Sequence, residues 1–210
     1  HTFWYPRQSF VARMAKMAAR KSVRKPQPAP RFDREAWLRA AMEVLAREGR
    51  AKLRVDRLAS DLGVTKGSFY HHFESREDFV DSLLAYWSSA FTDWVIGEVR
   101  GVDGPATEQL LKLMQIIQRE GLDRYDNAFR SWAAQDPSVA KEVKKVDLAR
   151  YKFVRSLFSE MGFKGPDLED RLRIWLVFNS AQSTVFFPED NSDAEEAITR
   201  RHAFFTRPAE

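Results

Sequence analysis

The sequence predicts an all-α protein, in which a small N-terminal unit of three helices is followed by a larger helical body. Apolar residues recur at spacings of three and four along most of the 210-residue chain, and the periodic segments end at glycine or proline. Hardly any segment alternates apolar and polar residues as a strand would. With 44% hydrophobic residues, the chain is able to bury a substantial core.

The first predicted helix begins after Asp33, a residue type that caps helices, and ends at Gly49. Its apolar residues fall on one stripe, as expected for a helix that packs against a core: Trp37, Leu38, Ala41, Val44 and Leu45. We therefore expect this helix to open the N-terminal unit.

Two short helices at a steep angle are predicted over residues 55–62 and 66–72. Gly63 stands between them, where a chain leaving a helix often needs a left-handed residue, and the Thr65 hydroxyl is placed to cap the second helix. The spacing of the apolar side chains predicts that these pack the two helices together: Leu58, Ala59, Leu62, Val64, Phe69 and Phe73. The other face of the second helix carries side chains that suit a DNA major groove and its phosphates: Lys66, Ser68, Tyr70 and His72.

A long helix is predicted over 76–100, because Ser75 and Asp78 have the spacing of a capping pair and the sequence GVDGP follows. Further helices are predicted over 106–120, 122–134, 138–161, 167–187 and 193–205. No linker separates the small unit from the body. We therefore expect the long helix to belong to both and to be able to carry a displacement between them.

Composition and spacing exclude several classes of function. The chain has no cysteine, which excludes disulfides, thiol nucleophiles and cysteine zinc sites. The four histidines have no metal-binding spacing, and the nucleophile-elbow, P-loop and dinucleotide-binding patterns are absent. The most apolar run, 174–187, is interrupted by polar residues and does not predict a membrane span. We therefore expect a cytoplasmic protein that is not an enzyme and has no metal or cofactor.

The net charge of +4 comes entirely from the N-terminal tail. Residues 1–32 carry eight basic and no acidic residues, whereas residues 33–80 carry nine of each. We expect this Pro-rich tail to be disordered and partly artificial or upstream sequence, with Met14 or Met17 as a natural start. A basic arm that contacts DNA, a solvated linker and a transit peptide are its alternative interpretations. DNA affinity of the folded part must come from local placement of charge.

The order of these segments resembles a known family. Together, VDRLASDLGV, TKGSFYHHF and ESREDFVDSLL closely resemble the N-terminal domain of TetR-family transcriptional regulators, over about residues 33–84. The later helices agree with the family in number and length, which is a weaker similarity. The resemblance implies a helix-turn-helix DNA-binding domain over 33–80 and an effector-binding and dimerisation domain over 81–210.

The resemblance also implies DNA contacts on the second short helix and just after it. Side chains at its start would lie near base edges, a glycine would allow a close approach to DNA, and two side chains at its end would contact backbone or bases. The residues concerned are Thr65, Lys66, Gly67, Ser68, Tyr70, His71 and Arg76. Arg76 stands where the family usually has a phosphate-binding lysine, a role that a guanidinium can fill. For Tyr70, the alternative is a half-buried packing position.

A homodimer that reads a palindromic operator follows from the same resemblance, with helices 138–161 and 167–187 pairing as a four-helix bundle. Each helix carries an apolar stripe: Val139, Val143, Val146, Val154, Leu157 and Met161 on the first, and Leu168, Leu172, Trp175, Leu176 and Phe186 on the second. The alternative is that both stripes only close the core of the monomer.

The family's body encloses an effector cavity, and aromatic residues are the candidates for its walls here: Trp87, Phe91, Trp94, Phe129, Trp132, Trp175 and Phe178. Such walls with few central charges suit a flat or greasy ligand. Polar side chains that could orient it are Gln115, Gln118, Asn127, Asn179 and Gln182. The alternative for each ring is a plain core position.

These observations predict a ligand-responsive transcriptional regulator, with repression as the family's habit. It would bind its operator as a dimer and be released by a small apolar or aromatic effector. Binding of the effector would move the two DNA-binding domains of the dimer apart. The alternative functions are a helical protein-interaction adaptor with a vestigial helix-turn-helix and, less favoured, an enzyme.

Overall fold

The computed structural model describes residues 33–181, 184–185 and 193–208, and throughout this part of the chain the regular secondary structure is helical. The all-α prediction is therefore confirmed. The chain divides into two compact units, the first ending at Ala90 and the second beginning at Phe91. The predicted basic tail, residues 1–32, lies outside the described residues.

From residue 33 onward, the first unit contains the α-helices α1 Arg34–Glu48, α2 Val55–Leu62, α3 Lys66–Phe69 and α4 Arg76–Ser88, with a 3-10 turn at Arg50–Lys52. The Asp33 carboxylate caps α1 by accepting from the Ala36 N–H at 2.9 Å. The Ser75 hydroxyl accepts from the Asp78 N–H at 3.1 Å and caps α4. Both predicted caps are thus present.

An aromatic cluster forms the core of the first unit. The Phe69 ring lies edge-on to Trp37 and Phe79, with centroid distances of 5.4 and 5.3 Å. Phe73 lies 5.0 Å from both Phe69 and Phe79. All four rings are buried. Edge-to-face pairs of this kind add to the stabilisation from apolar burial, so the rings hold α1, α3 and α4 together.

The helix α3 is shorter than the predicted 66–72. Residues 70–72 form a turn in which the N–H of each residue donates to the carbonyl three positions earlier, as in the 3.2 Å bond from Tyr70 to Gly67. Thr65 occupies the N-cap position, but its side chain makes no capping hydrogen bond. The predicted role of the Thr65 hydroxyl as a cap is therefore wrong.

The second unit contains α5 Trp94–Arg100, α6 Ala106–Glu120, α7 Asp123–Ala133, α8 Pro137–Glu160, α9 Gly165–Ala181 and α10 Ala194–Thr206. Left-handed Gly121 ends α6, and Asp136 caps α8 by accepting from the Ser138 N–H at 3.1 Å. None of the described helices is both long and apolar enough to cross a membrane.

Two predicted helices differ from the structure. The helix expected over 76–100 contains a π-helical turn at Ser89–Asp93. The helix expected to reach residue 187 ends at Ala181, and Thr184 and Val185 lie in a turn and a bend. Thr184 and Val185 are β-branched, and such residues have a lower helix propensity.

The apolar stripes of α8 and α9 are mostly buried within the second unit itself. Val139, Val143, Val146, Val154 and Leu157 are buried on α8, as are Leu168, Leu172 and Trp175 on α9. Met161 and Leu176 are half-buried, and Phe186 lies outside the described residues. These stripes therefore close the monomer core, as the alternative interpretation held.

Candidate functional site

The turn between α2 and α3 is fixed by Gly63, whose φ of 68° and ψ of 29° are left-handed. Its N–H donates to the Ser60 carbonyl, and the Val64 N–H donates to the Ala59 carbonyl at 2.9 Å. A Cβ at Gly63 would meet nothing within 4 Å, so the backbone conformation and not crowding requires glycine here. The turn thus sets the angle between the two helices.

The helix α3 has one buried and one exposed face. Phe69 points into the aromatic cluster, whereas Lys66, Gly67 and His71 are exposed. Tyr70 is 60% exposed and lies edge-on to Phe69. This exposure argues against the packing interpretation of Tyr70. Thr65 is also exposed, and Ser68 and His72 are half-buried.

Some basic side chains of the first unit form ion pairs with carboxylates, and others do not. Arg57 bridges Asp61 and Glu48 at 2.9 and 3.0 Å, and Arg54 pairs with Asp56 at 3.1 Å. By contrast, Lys66 and Arg76 are exposed and have no hydrogen bond or ion pair to any residue that the structure describes. Asp56 and Glu77 interact with these two cations only at longer range. Cations free of direct ion pairs therefore lie beside the exposed face of α3, although residues 33–80 are neutral overall.

Several hydrogen bonds to the Asp78 carboxylate hold the start of α4 in place. The Asp78 carboxylate accepts from the Glu74 N–H and from Arg34, both at 2.9 Å, and Ser82 also bonds to it. The backbone hydrogen bond from Glu74, helped by Arg34, holds the pKa of Asp78 below its usual 3.8. Arg76 is the first residue of this helix, so its position is well defined.

A second candidate site lies in the second unit, where a cavity of about 60 Å³ is enclosed by α5 to α9 and the π-helical turn. Its apolar walls include Phe91, Val95, Leu113, Leu122, Phe153 and Val154. Its polar lining includes Thr92, Asp123, Asp126, Arg150, Asn179 and Ser180. The volume is small compared with the several hundred Å³ of a typical ligand pocket.

A buried ion pair crosses this cavity. Arg150 binds the Asp126 carboxylate through both terminal nitrogens, at 2.5 and 3.1 Å, and its Nε donates to the Thr92 hydroxyl at 3.1 Å. Arg150 also donates to the Phe91 carbonyl at 3.4 Å. The expectation of few central charges is therefore wrong. The missed signal was the spacing of Asp123 and Asp126, which continue the buried stripe of Phe129 at intervals of three.

Only two of the seven candidate aromatic residues line the cavity, namely Phe91 and Trp175. Phe129 and Trp132 stack on each other in the core, with centroids 6.3 Å apart. The remaining three do not line it either: Trp87 is buried in the first unit, and Trp94 and Phe178 are half-buried. Packing accounts for the three buried rings, Trp87, Phe129 and Trp132, because burying an aromatic ring stabilises the core without any ligand.

Of the polar candidates, Asn179 lines the cavity. Gln115 is exposed, Gln118 and Asn127 are half-buried away from the lining, and Gln182 lies outside the described residues. One of the five polar candidates therefore lies at the cavity, and its role in orienting a ligand stays a prediction.

Comparisons with known proteins agree with this geometry. Residues 38–83 match the family model of bacterial regulatory proteins of the tetR family. The HTH-type transcriptional repressor KstR2 of Mycolicibacterium smegmatis is 36% identical over 87 residues, which cover 41% of this chain and 40% of that protein. The chain thus matches about two fifths of the length of this curated relative.

Solved structures share the fold over most of their length. The TetR family regulator PfmR from Thermus thermophilus is 20% identical with a TM-score of 0.61, over 83% of this chain and 98% of that one. AibR, solved in complex with isovaleryl coenzyme A and operator DNA, is 16% identical with a TM-score of 0.64, over 81% and 96%. Residues 38–83 thus match the N-terminal domain of the tetR family of bacterial regulatory proteins, and the similarity to the curated relative spans about two fifths of this chain.

Proposed function

We propose that this protein is a transcriptional regulator that binds a palindromic DNA operator as a homodimer and is released by a small effector. The observation that carries the proposal is the exposed face of α3, beside which Lys66 and Arg76 hold no carboxylate at hydrogen-bond or ion-pair distance among the described residues. An unneutralised cation beside an exposed helix is what phosphate binding requires.

The contacts are assigned by position. Thr65, Lys66 and Ser68, at the start of α3, would reach base edges, while Tyr70 and His71 would contact backbone or bases. Arg76 would bind phosphate at the start of α4.

Gly67 would allow a close approach of the backbone to DNA. A Cβ at this position would meet only the Thr65 hydroxyl, at an ordinary 3.7 Å. The protein itself therefore leaves room for a side chain here, which is consistent with a need for space on the DNA side.

Two relatives support the regulatory proposal. KstR2 is described as a transcriptional repressor, which favours repression for this chain as well. AibR is described with both isovaleryl coenzyme A and operator DNA, which supports an effector-controlled operator complex. At 16% identity, AibR supports the general arrangement and not a particular ligand.

Dimerisation through α8 and α9 is supported by apolar side chains that remain on the surface of these helices. Leu148, Ile174 and Val177 are 51%, 52% and 66% exposed. Burying such residues against a second copy would be favourable, at about 25 cal/mol per Å².

The effector would enter the cavity of the second unit. At about 60 Å³ the cavity has room for a few water molecules, so a larger ligand would bind an opened form. Ile96, Ile117 and Leu176 line it and are half-buried, so they are the side chains best placed to move. A ligand that prefers the opened form would weaken DNA binding if that form fits the operator less well, and DNA would weaken ligand binding equally.

The first experiment selects bound fragments from random DNA and measures their affinity by gel shift. We expect a palindromic site. Replacing Arg76 by alanine should weaken binding to all sequences alike and reduce the salt slope by about one. Lys152→Ala, an exposed lysine of the second unit, is the charge-matched control and should change neither. The absence of any sequence-specific binding would favour the adaptor function instead.

Base contacts are tested on the selected site. Lys66→Ala or Ser68→Ala should lose about 1 to 3 kcal/mol at particular operator positions and little at others. If Lys66→Ala weakens every sequence equally, Lys66 binds phosphate and the assignment is overturned.

The dimer is tested by analytical ultracentrifugation. Val177→Asp should shift the protein towards monomer, because a charge in an apolar interface is costly. Val102→Asp, a half-buried valine of the loop after α5, controls for a general loss of stability. A monomeric unmodified protein would overturn the dimer.

A further inference from the structure

The cavity of the second unit contains a carboxylate that the protein does not neutralise. Asp123 lines the cavity and is only 6% exposed. Within the part of the chain that the structure describes, its side chain has no hydrogen-bond or ion-pair partner. Carboxylates in such surroundings are normally paired, because an unpaired one is costly. Neither Asp123 oxygen is among the fully buried unpaired atoms, so solvent in the cavity can reach the carboxylate. An unpaired one is therefore a place where a ligand can supply the missing partner.

An unsatisfied donor lines the same cavity. Trp175 is buried, and its Nε1 has no acceptor among the described residues. A buried indole N–H usually finds a partner, so this observation points independently to a bound polar group. The cavity thus offers one acceptor, at Asp123, and one donor, at Trp175.

The balance of charge indicates which ligand fits. Two carboxylates, Asp123 and Asp126, line the cavity together with one cation, Arg150. Because Arg150 is bound to Asp126 by both terminal nitrogens, the excess negative charge lies on Asp123. An anionic ligand would be repelled here, whereas a cation would be stabilised in surroundings of low polarity. The rest of the lining is mainly apolar.

We propose that the cavity binds a small apolar amine in its protonated form, with the ammonium group donating to the Asp123 carboxylate. An oxygen of the ligand, where it has one, accepts from Trp175 Nε1. The amine is the effector if the proposed regulatory function holds, and in that sense this inference rests on it. Binding to the cavity itself does not depend on DNA.

The test uses three compounds with one branched skeleton and different charge: 3-methylbutylamine, 3-methylbutan-1-ol and 4-methylpentanoate. Their affinities for the full chain are measured by calorimetry and by the shift in thermal unfolding. The amine should bind at least about tenfold more tightly than the alcohol, since a charge-assisted hydrogen bond outweighs a neutral one. The carboxylate should bind most weakly. This order tests the proposal on the unmodified protein.

Variants of Asp123 test whether this residue causes the preference for the amine. Asp123→Asn should abolish the preference for the amine over the alcohol and, without ligand, should raise the unfolding temperature, because it removes an unpaired buried charge. Asp103→Asn, an exposed loop residue, is the matched control and should change neither property. Tightest binding by the carboxylate, no binding by any of the three at millimolar concentration, or an unchanged preference in Asp123→Asn would each overturn the proposal.

Gel shifts with operator DNA separate this inference from the proposed function. The amine should release the unmodified protein from operator, whereas Asp123→Asn should not be released, each protein being compared with its own operator affinity without amine. If the unmodified protein binds no operator, the regulatory function fails, while the calorimetric order still decides the chemistry of the cavity.

Discussion

The two units bury different kinds of side chain. Residues 33–90 bury a cluster of aromatic rings around Phe69 and keep their charged side chains at the surface. Among the described residues, all four buried polar side chains lie in the second unit: Thr92, Glu120, Asp123 and Asp126. Burying apolar side chains lowers the free energy of the folded state, whereas burying a charge raises it unless the charge is paired. The difference indicates that the core of the first unit serves packing, whereas the core of the second unit also contains a polar site.

The largest expected effect is on the aromatic cluster. Phe69→Ala should destabilise the first unit by about 3 to 5 kcal/mol, because it removes a fully buried ring that contacts the other rings of the cluster. Urea unfolding, with hydrogen exchange on α1 to assign the loss to this unit, measures it. Tyr70→Ala, the exposed neighbour, should cost about 1 kcal/mol or less. Similar losses for both variants would mean that the cluster does not hold the unit together.

The second effect breaks the ion pair of the second unit. Asp126→Ala should cost about 3 kcal/mol, because it leaves Arg150 largely buried with its carboxylate partner gone. The Asp126 and Arg150 side chains are 7% and 19% exposed, so solvent compensates only partly. Asp126→Leu combined with Arg150→Met should recover most of the loss in urea unfolding. If the single variant is as stable as the unmodified protein, the pair does not stabilise the second unit.

A third prediction concerns the one strongly shifted tyrosine of the first unit. Burial raises the pKa of Tyr86 from 10.0 to about 12, helped by the nearby Glu35 carboxylate and opposed by the Arg39 guanidinium. The unfolded chain therefore ionises first, and stability present below pH 10.0 is lost as the pH rises towards about 12.

Tyr86→Phe cannot ionise and should gain about 2 kcal/mol relative to the unmodified protein over that interval. Denaturant unfolding at a series of pH values measures the difference. Near neutral pH, the two proteins should have nearly equal stability. A constant difference at all pH values would contradict the raised pKa.

The smallest effect is expected at the start of α4. The pKa of Asp78 is lowered by its hydrogen bonds, so its contribution to stability is present above pH 3.8 and is lost as the pH falls through the lowered pKa. Asp78→Asn should therefore lower the unfolding temperature at neutral pH and have little effect in acid. Asp81→Asn, an exposed neighbour, is the control. A loss that persists unchanged in acid would assign the effect to packing.

The sequence predicted the first unit almost completely, since its signals are local. Asp33, Gly63 and Ser75 act within a few residues, and the spacing of Phe69 and Phe73 identifies the buried face of α3. The prediction that the Thr65 hydroxyl caps α3 was wrong because it depends on the side-chain rotamer, which residue spacing does not determine.

The cavity could not be predicted in the same way, since its polar residues come from distant parts of the chain. Arg150 is 24 residues from Asp126 and 58 from Thr92, and nothing in either segment specifies the pairing. Aromatic content was a poor guide, because rings such as Phe129 stabilise a core whether or not a ligand is bound. These long-range polar contacts could therefore be identified only from the structure.

The π-helical turn at Ser89–Asp93 has a consequence for how chain length can vary in evolution. A π turn contains one residue more than the α turn that it replaces, so it is the form that a single inserted residue takes inside a helix. Relatives with one residue fewer at this point would have an unbroken α-helix. Their turn would then present different backbone and side-chain atoms in place of the Phe91 carbonyl and the Thr92 hydroxyl that bind Arg150 here. Length at this position would separate relatives that share this polar cavity from those that do not.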